Sequence, residues 1–98
     1  MRLRWTPQAR SDLGDIVAYI VRDDPDAAER VYNRIFAAAT LLIEQPGLGR
    51  AGRVEGTREL IVPRTLYMLP YRVRGGAKSM VEILAVVPMS RWWPEAFD

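Results

Sequence analysis

The 98-residue sequence predicts an α+β domain with the element order β-α-α-β-β-β. Three observations lead there: a short alternating segment at the N-terminus, two helical runs that each open on a capping residue and a proline, and strand-like apolar runs in the last third. A single domain over residues 1–98 is expected, because this length holds one modest core and has no room for a second.

Arg2 to Trp5 alternate polar and apolar, with Leu3 and Trp5 on one side, as in a half-buried strand. Thr6-Pro7 ends it and starts a helix: threonine caps the orphan amides and proline is tolerated at the first helical position. The helix runs to about Arg22 with Ala9, Leu13, Ile16, Val17 and Ile20 as its apolar stripe. Asp24-Pro25 opens a second helix to about Glu44, with Asp26 and Glu29 near its positive end. Ala28, Val31, Ile35, Ala38 and Leu42 form one stripe of it, and Tyr32, Phe36, Ala39 and Ile43 a second beside it. Two stripes predict two buried faces, one on the first helix as an αα-hairpin and one on a sheet.

Gln45-Pro46-Gly47 stops the second helix, and the Gly- and Arg-containing stretch from Leu48 to Thr57 reads as an exposed loop. Glu59-Leu-Ile-Val-Pro63 begins the strand series, followed by Tyr67–Val73 and Met80–Val87 around a hairpin turn at Arg74-Gly-Gly-Ala-Lys78. Tyr67, Leu69, Tyr71 and Val73 face one way, and Met68, Pro70 and Arg72 the other. Pro70 cannot donate to a ladder, so its strand requires an edge position or a bulge there.

Composition removes several function classes. With no cysteine and no histidine there is no disulfide framework, no thiolate or imidazole metal site, and no nucleophile driven by a histidine base. Neither a metal nor a cofactor is expected. No stretch approaches the roughly 18 apolar residues that span a bilayer, and the expectation is a cytoplasmic protein without a membrane partner. The net charge is only +2, yet residues 50–79 carry seven basic side chains against Glu55 and Glu59. Such a cationic half suits phosphate groups or an acidic protein, although scattered surface arginine has the same composition.

Taken in order, Trp5-Thr-Pro-Gln-Ala9, Leu13, Ile16, Tyr19-Ile20, Gly56-Thr-Arg-Glu-Leu60, Tyr71-Arg-Val73 and Arg91-Trp-Trp-Pro94 cover nearly the whole chain. In these motifs it resembles the ParE/RelE superfamily of bacterial toxins from type II toxin-antitoxin operons. The resemblance implies a helical hairpin laid against a small antiparallel sheet. It also implies a cognate antitoxin, ParD-like or another small protein, whose partly helical C-terminal segment packs along the hairpin and sheet in a hetero-oligomer. Plasmid stabilisation is a role that the resemblance brings with it.

The superfamily divides into two chemistries. RelE-like members cleave messenger RNA on the ribosome and need groups that move protons beside a phosphodiester. ParE-like members poison DNA gyrase by binding. Here Leu60-Ile-Val-Pro-Arg64 lacks a lysine and arginine cluster, and the C-terminal segment has neither histidine nor tyrosine. Arginines are poor proton donors at neutral pH, which favours the ParE-like branch. A ribosome-dependent endoribonuclease using Arg58, Arg72 or Arg91, with Glu59 or Tyr67 as donor or base, is the alternative. A non-toxic member acting only as a binding partner is a further one. Many relatives carry a histidine before the ending, where this chain has Pro88-Met89-Ser90.

The candidate target-binding residues are Arg58, Arg72, Arg91, Trp92 and Trp93, since arginine and aromatic anchors dominate interface hot spots. Each has a structural alternative. Arg58 can pair with Glu59, Glu82 or a helix acid; Arg72 can be solvated; one tryptophan of the pair can tack the terminus to the core. Arg50 and Arg53 form a basic loop that can reach an acidic surface or stay solvated. Trp5 reads as core, and the acids at 12, 15, 23, 24 and 26 as caps and solubilising charges.

Overall fold

A computed structural model describes residues 1–75 and 79–90. Its elements are β1 (Arg2–Trp5), α1 (Pro7–Val21), α2 (Pro25–Glu44), β2 (Arg50–Ala51), β3 (Arg58–Ile61), β4 (Tyr67–Arg74), β5 (Met80–Ile83) and β6 (Val87–Pro88). The expected α+β order holds, with two short strands, β2 and β6, added to it. The expected turn at 74–78 lies partly outside the described residues, and Arg91, Trp92, Trp93 and Pro94 lie wholly outside them.

Both helices begin as their sequences dictate. The Thr6 Oγ1 accepts the Ala9 amide at 3.1 Å and the Asp24 carboxylate accepts the Ala27 amide at 3.0 Å, each followed by a proline. Thr6 also donates its hydroxyl to the Leu84 carbonyl at 3.1 Å, so the cap fastens α1 to the sheet. Asp12 makes a second tie, its carboxylate accepting the Val86 amide at 3.0 Å. That carboxylate is therefore a tether between α1 and the β5–β6 segment rather than a solubilising charge.

The sheet order is β1-β5-β4-β3-β2, with β6 continuing along β4 beyond the end of β5. Every pair is antiparallel except β1 with β5, which is parallel and sets Leu3 beside Val81 and Trp5 beside Ile83. The sheet is therefore mixed, a departure from the all-antiparallel expectation. Strand direction between segments this far apart in the chain is a tertiary choice, and here Leu3 and Trp5 are buried against the same core as Val81 and Ile83.

Pro70 sits in the central strand, and a bulge accommodates it. Between the pairs Tyr71↔Ile83 and Met68↔Val87, two residues of β4 face three of the neighbouring segment. The Pro70 carbonyl accepts the Leu84 amide at 2.9 Å, so its nitrogen also points toward that interrupted side, where no ladder donor is required.

Ile35, Ala38, Ala39 and Leu42 of α2 pack on Val62, Leu69, Tyr71, Val81 and Ile83 to form the core. The second α2 stripe behaves differently from its expectation. Ala39 is buried, but Tyr32 and Phe36 remain 42% and 48% exposed, stacked on each other with centroids 6.2 Å apart. α1 is too small at Gly14 and Ala18 to cover them.

Residues 48–57 are not the simple exposed loop that their composition suggests. β2 pairs with β3, and Gly49, Val54 and Thr57 are buried. The cause is Tyr71, whose hydroxyl donates to the Pro46 carbonyl and accepts the Gly49 amide, both at 2.8 Å. A Cβ on Gly49 would lie 2.6 Å from the Tyr71 ring and 2.9 Å from the Glu59 carbonyl. Gly49→Ala is expected to lose about 1–3 kcal/mol by overpacking. Tyr71→Phe should lose a similar roughly 1–3 kcal/mol by stranding a buried amide and carbonyl. Urea denaturation of each variant measures both.

Candidate functional site

Two surfaces carry features that folding alone does not require. The first is the sheet face turned away from the helices. Strand alternation places Arg4, Glu82 and Arg72 in one row across β1, β5 and β4, with Arg74 beside them and Glu59 and Arg50 further along. Both glutamates are buried, and each is held by two arginines. Glu82 pairs with Arg4 at 2.7 Å and with Arg74, while Glu59 pairs with Arg50 at 3.2 Å and Arg53 at 3.8 Å. The Arg53 amide adds a 2.8 Å bond to Glu59. Arg50 and Arg53 thus reach a carboxylate of their own chain.

Arg72 stands on β4 directly across from Glu82, half-buried, and its side chain makes no hydrogen bond or ion pair with the described residues. Arg58 projects from the opposite face, beside Tyr71. Its guanidinium donates to the carbonyls of Gly49 at 2.8 Å and Gly47 at 3.4 Å, instead of pairing with Glu59, Glu82 or a helix acid. The sheet therefore separates Arg58 from Arg72. Arg91, Trp92 and Trp93 fall outside the described residues.

The acid–base chemistry of this region follows from the same contacts. The Arg74 hydrogen bond, helped by Arg4 and opposed by burial, holds the Glu82 carboxyl below its ordinary range. Burial pushes the Tyr71 phenol upward, with the Gly49 amide and the Arg58 charge acting against it. Glu59 lies on the helix-free face and Tyr67 on the other. These two candidate proton carriers cannot meet over one phosphodiester. Among the described residues, no group of three acidic, histidine or cysteine side chains is placed to hold a metal.

The second surface is an apolar groove of about 670 Å³ running along the helical hairpin. Trp5, Leu13, Gly14, Val17, Tyr32 and Phe36 line it, with Arg10 contributing charge. Gly14 opens it, since a Cβ there would meet nothing within 4 Å. Trp5 therefore serves both the core and the groove. Tyr32 and Phe36, which the two-stripe pattern predicts to be covered, instead border a groove that the pattern does not predict. The available signal was a glycine in the middle of α1 facing that aromatic stripe, because such a glycine weakens a helix without a local need.

Folding lowers the Glu82 pKa, so the ionised carboxylate contributes stability at neutral pH. That contribution disappears as the pH falls from the ordinary value of 4.5 through the lower folded value. Glu82→Gln is expected to cost about 1–2 kcal/mol at pH 7, a figure discounted for the exposure of both arginines, and to flatten the acid limb of the stability curve. Thermal unfolding from pH 3 to 7 compares the two proteins.

Residues 3–93 match the family model described as the ParE toxin of the type II toxin-antitoxin system parDE. Y4kP, a proposed toxin of Sinorhizobium fredii, is 46% identical over 94 residues, covering 96% of this chain and 94% of its own. The toxin RelE2 of Caulobacter vibrioides is 35% identical over 79 residues, covering 81% of this chain and 88% of its own. A chain from the chromosomal ParDE toxin-antitoxin system of P. aeruginosa superposes with a TM-score of 0.79 at 30% identity, covering 90% of this chain and 95% of that one. The motifs, the hairpin-on-sheet fold and these matches agree: the chain belongs to the ParE toxin family of type II toxin-antitoxin systems.

Proposed function

We propose that this ParE-family toxin acts by binding rather than by catalysis, inhibiting DNA gyrase in the bacterial cytoplasm until an antitoxin occupies it. The observation that carries the reading is the disposition of its polar groups. Glu59 is enclosed by Arg50 and Arg53, Tyr71 is buried and doubly hydrogen-bonded, and Tyr67 lies across the sheet from Glu59. What remains exposed is suited to recognition. The groove offers an apolar trough for an amphipathic antitoxin helix, a recurrent mode in which a segment folds as it binds. On the other face, Arg72 fits a contact to an acidic target.

The cationic sheet face also supports a second reading, ribosome-dependent cleavage of messenger RNA with Arg72 stabilising the phosphorane. The relative named RelE2 gives that reading a second source of support.

The two readings separate in cells and in vitro. Under the first, inducing the chain without antitoxin stops thymidine incorporation before amino-acid incorporation, and purified gyrase accumulates cleaved DNA in its presence. Arg72→Ala should weaken that inhibition about tenfold, the equivalent of ~1.4 kcal/mol. Early collapse of translation with intact supercoiling overturns the gyrase reading in favour of RNA cleavage. For the groove, Gly14→Leu is expected to keep the fold and gyrase inhibition while reducing protection by the cognate antitoxin at least tenfold. Antitoxin affinity unchanged in a calorimetric titration would remove the groove as its seat.

A further inference from the structure

The turn joining β3 to β4 holds a conformation that its residues make costly. Arg64 is the one described non-glycine residue with positive φ, at 61°. The Thr65 amide donates to the Val62 carbonyl at 3.3 Å around Pro63-Arg64. Proline at the second position and positive φ at the third are the marks of a type II turn, whose third position normally belongs to glycine or asparagine. An arginine there opposes the local backbone preference.

The rest of the turn is clamped. Thr65 donates its hydroxyl to the Val62 carbonyl at 2.9 Å and accepts the Tyr67 amide at 3.1 Å. The Leu66 carbonyl accepts the Met89 amide at 2.9 Å, and the Arg64 carbonyl accepts Arg34 Nη1 at 3.1 Å. These bonds engage the Arg64 backbone and leave its exposed guanidinium without a partner among the described residues. Leu66, two residues on, is 75% exposed, the highest value among the described large apolar side chains. Neither side chain is explained by the fold. A rigid tip that presents an arginine and a leucine in a strained backbone is the pattern of a pre-organised contact.

Charge and position indicate what it contacts. Arg30 and Arg34 lie one helical turn apart on α2, Arg34 touches the tip, and no ion pair engages Arg30, Arg34 or Arg64 among the described residues. Arg34 is two residues from both Tyr32 and Phe36, about 200° round the helix from each. The tip thus stands on the flank of α2 away from the groove. We infer that the Arg64–Leu66 tip, backed by Arg34, is a target contact of this toxin, fitting a protein surface where a carboxylate borders an apolar depression. This rests on the reading of the chain as a toxin whose groove is reserved for the antitoxin.

Arg64→Gly supplies the test, because glycine accepts the positive φ and removes only the side chain. Arg64→Gly, Arg64→Lys and Leu66→Ser are compared with the unaltered chain by thermal unfolding, by survival of induced bacteria and by inhibition of purified gyrase. The expected result is a midpoint for Arg64→Gly at or above that of the unaltered chain. Killing should fall at least tenfold in Arg64→Gly and Leu66→Ser, with partial retention in Arg64→Lys. Full killing by both Arg64→Gly and Leu66→Ser overturns the inference, as does a lowered midpoint for Arg64→Gly, which would make the side chain structural. If the unaltered chain kills without affecting gyrase, the gyrase reading fails, and the survival series still decides the tip. A folded chain that neither kills nor inhibits gyrase overturns both. If the loss of killing tracks loss of RNA cleavage, the partner is nucleic acid and the protein contact is overturned.

Discussion

The hydroxyl of Tyr71 is the point through which the two halves of the fold are joined. It lies on the central strand, under the helices, and bonds both sides of the Pro46–Gly49 connection. That connection ends α2 and begins β2, so its position decides where the helical hairpin rests and how β2 meets β3. Arg58 completes the same knot from the neighbouring strand through the Gly47 and Gly49 carbonyls. The buried phenol has its donor and its acceptor satisfied, which is the condition for placing it in a core at all. A glycine at 49 is then a steric requirement rather than a conformational one.

The helix-free face solves a harder problem by a related route. Two carboxylates are buried on a sheet that also carries several arginines, and each is enclosed by a pair of them. Buried ion pairs contribute little net stability against an apolar alternative, but stranding one partner is costly. Their contacts join particular segments, since Glu59 holds the β2 region and Glu82 ties β1, β4 and β5 together. They also use up much of the positive charge that composition suggests is available to a partner, and among the described residues Arg72 stands unengaged in the middle of the face.

The same economy sets these two surfaces apart in space. α1 and α2 leave an apolar trough where Gly14 and Ala18 are too small to cover Tyr32 and Phe36, and the far flank of α2 supports a basic, strained turn. On the proposed reading, a toxin that binds an inhibitor and a target benefits from surfaces that do not coincide, because each can then be tuned without loss of the other. The tethers from Thr6 and Asp12 to the β5–β6 segment keep the hairpin in register with the sheet and so hold these surfaces in fixed relation.

The helices, their starts and the strand faces are legible along the chain, because caps, prolines and apolar period are local properties that act over a few residues. The family is legible there too, since the motifs lie in order along the chain. The need for an edge position or a bulge at Pro70 followed from a missing amide, and the structure takes the bulge. Long-range packing, by contrast, sets β1 parallel to β5, closes residues 48–57 onto Tyr71, and gives Arg50 and Arg53 to Glu59 while Arg58 and Arg72 part to opposite faces. The same packing leaves Tyr32 and Phe36 as the wall of a groove and holds Arg64 in a left-handed conformation. Each of these depends on which distant segment becomes a neighbour. That outcome is settled by burial and by satisfying polar groups across the whole chain, and no local pattern records it.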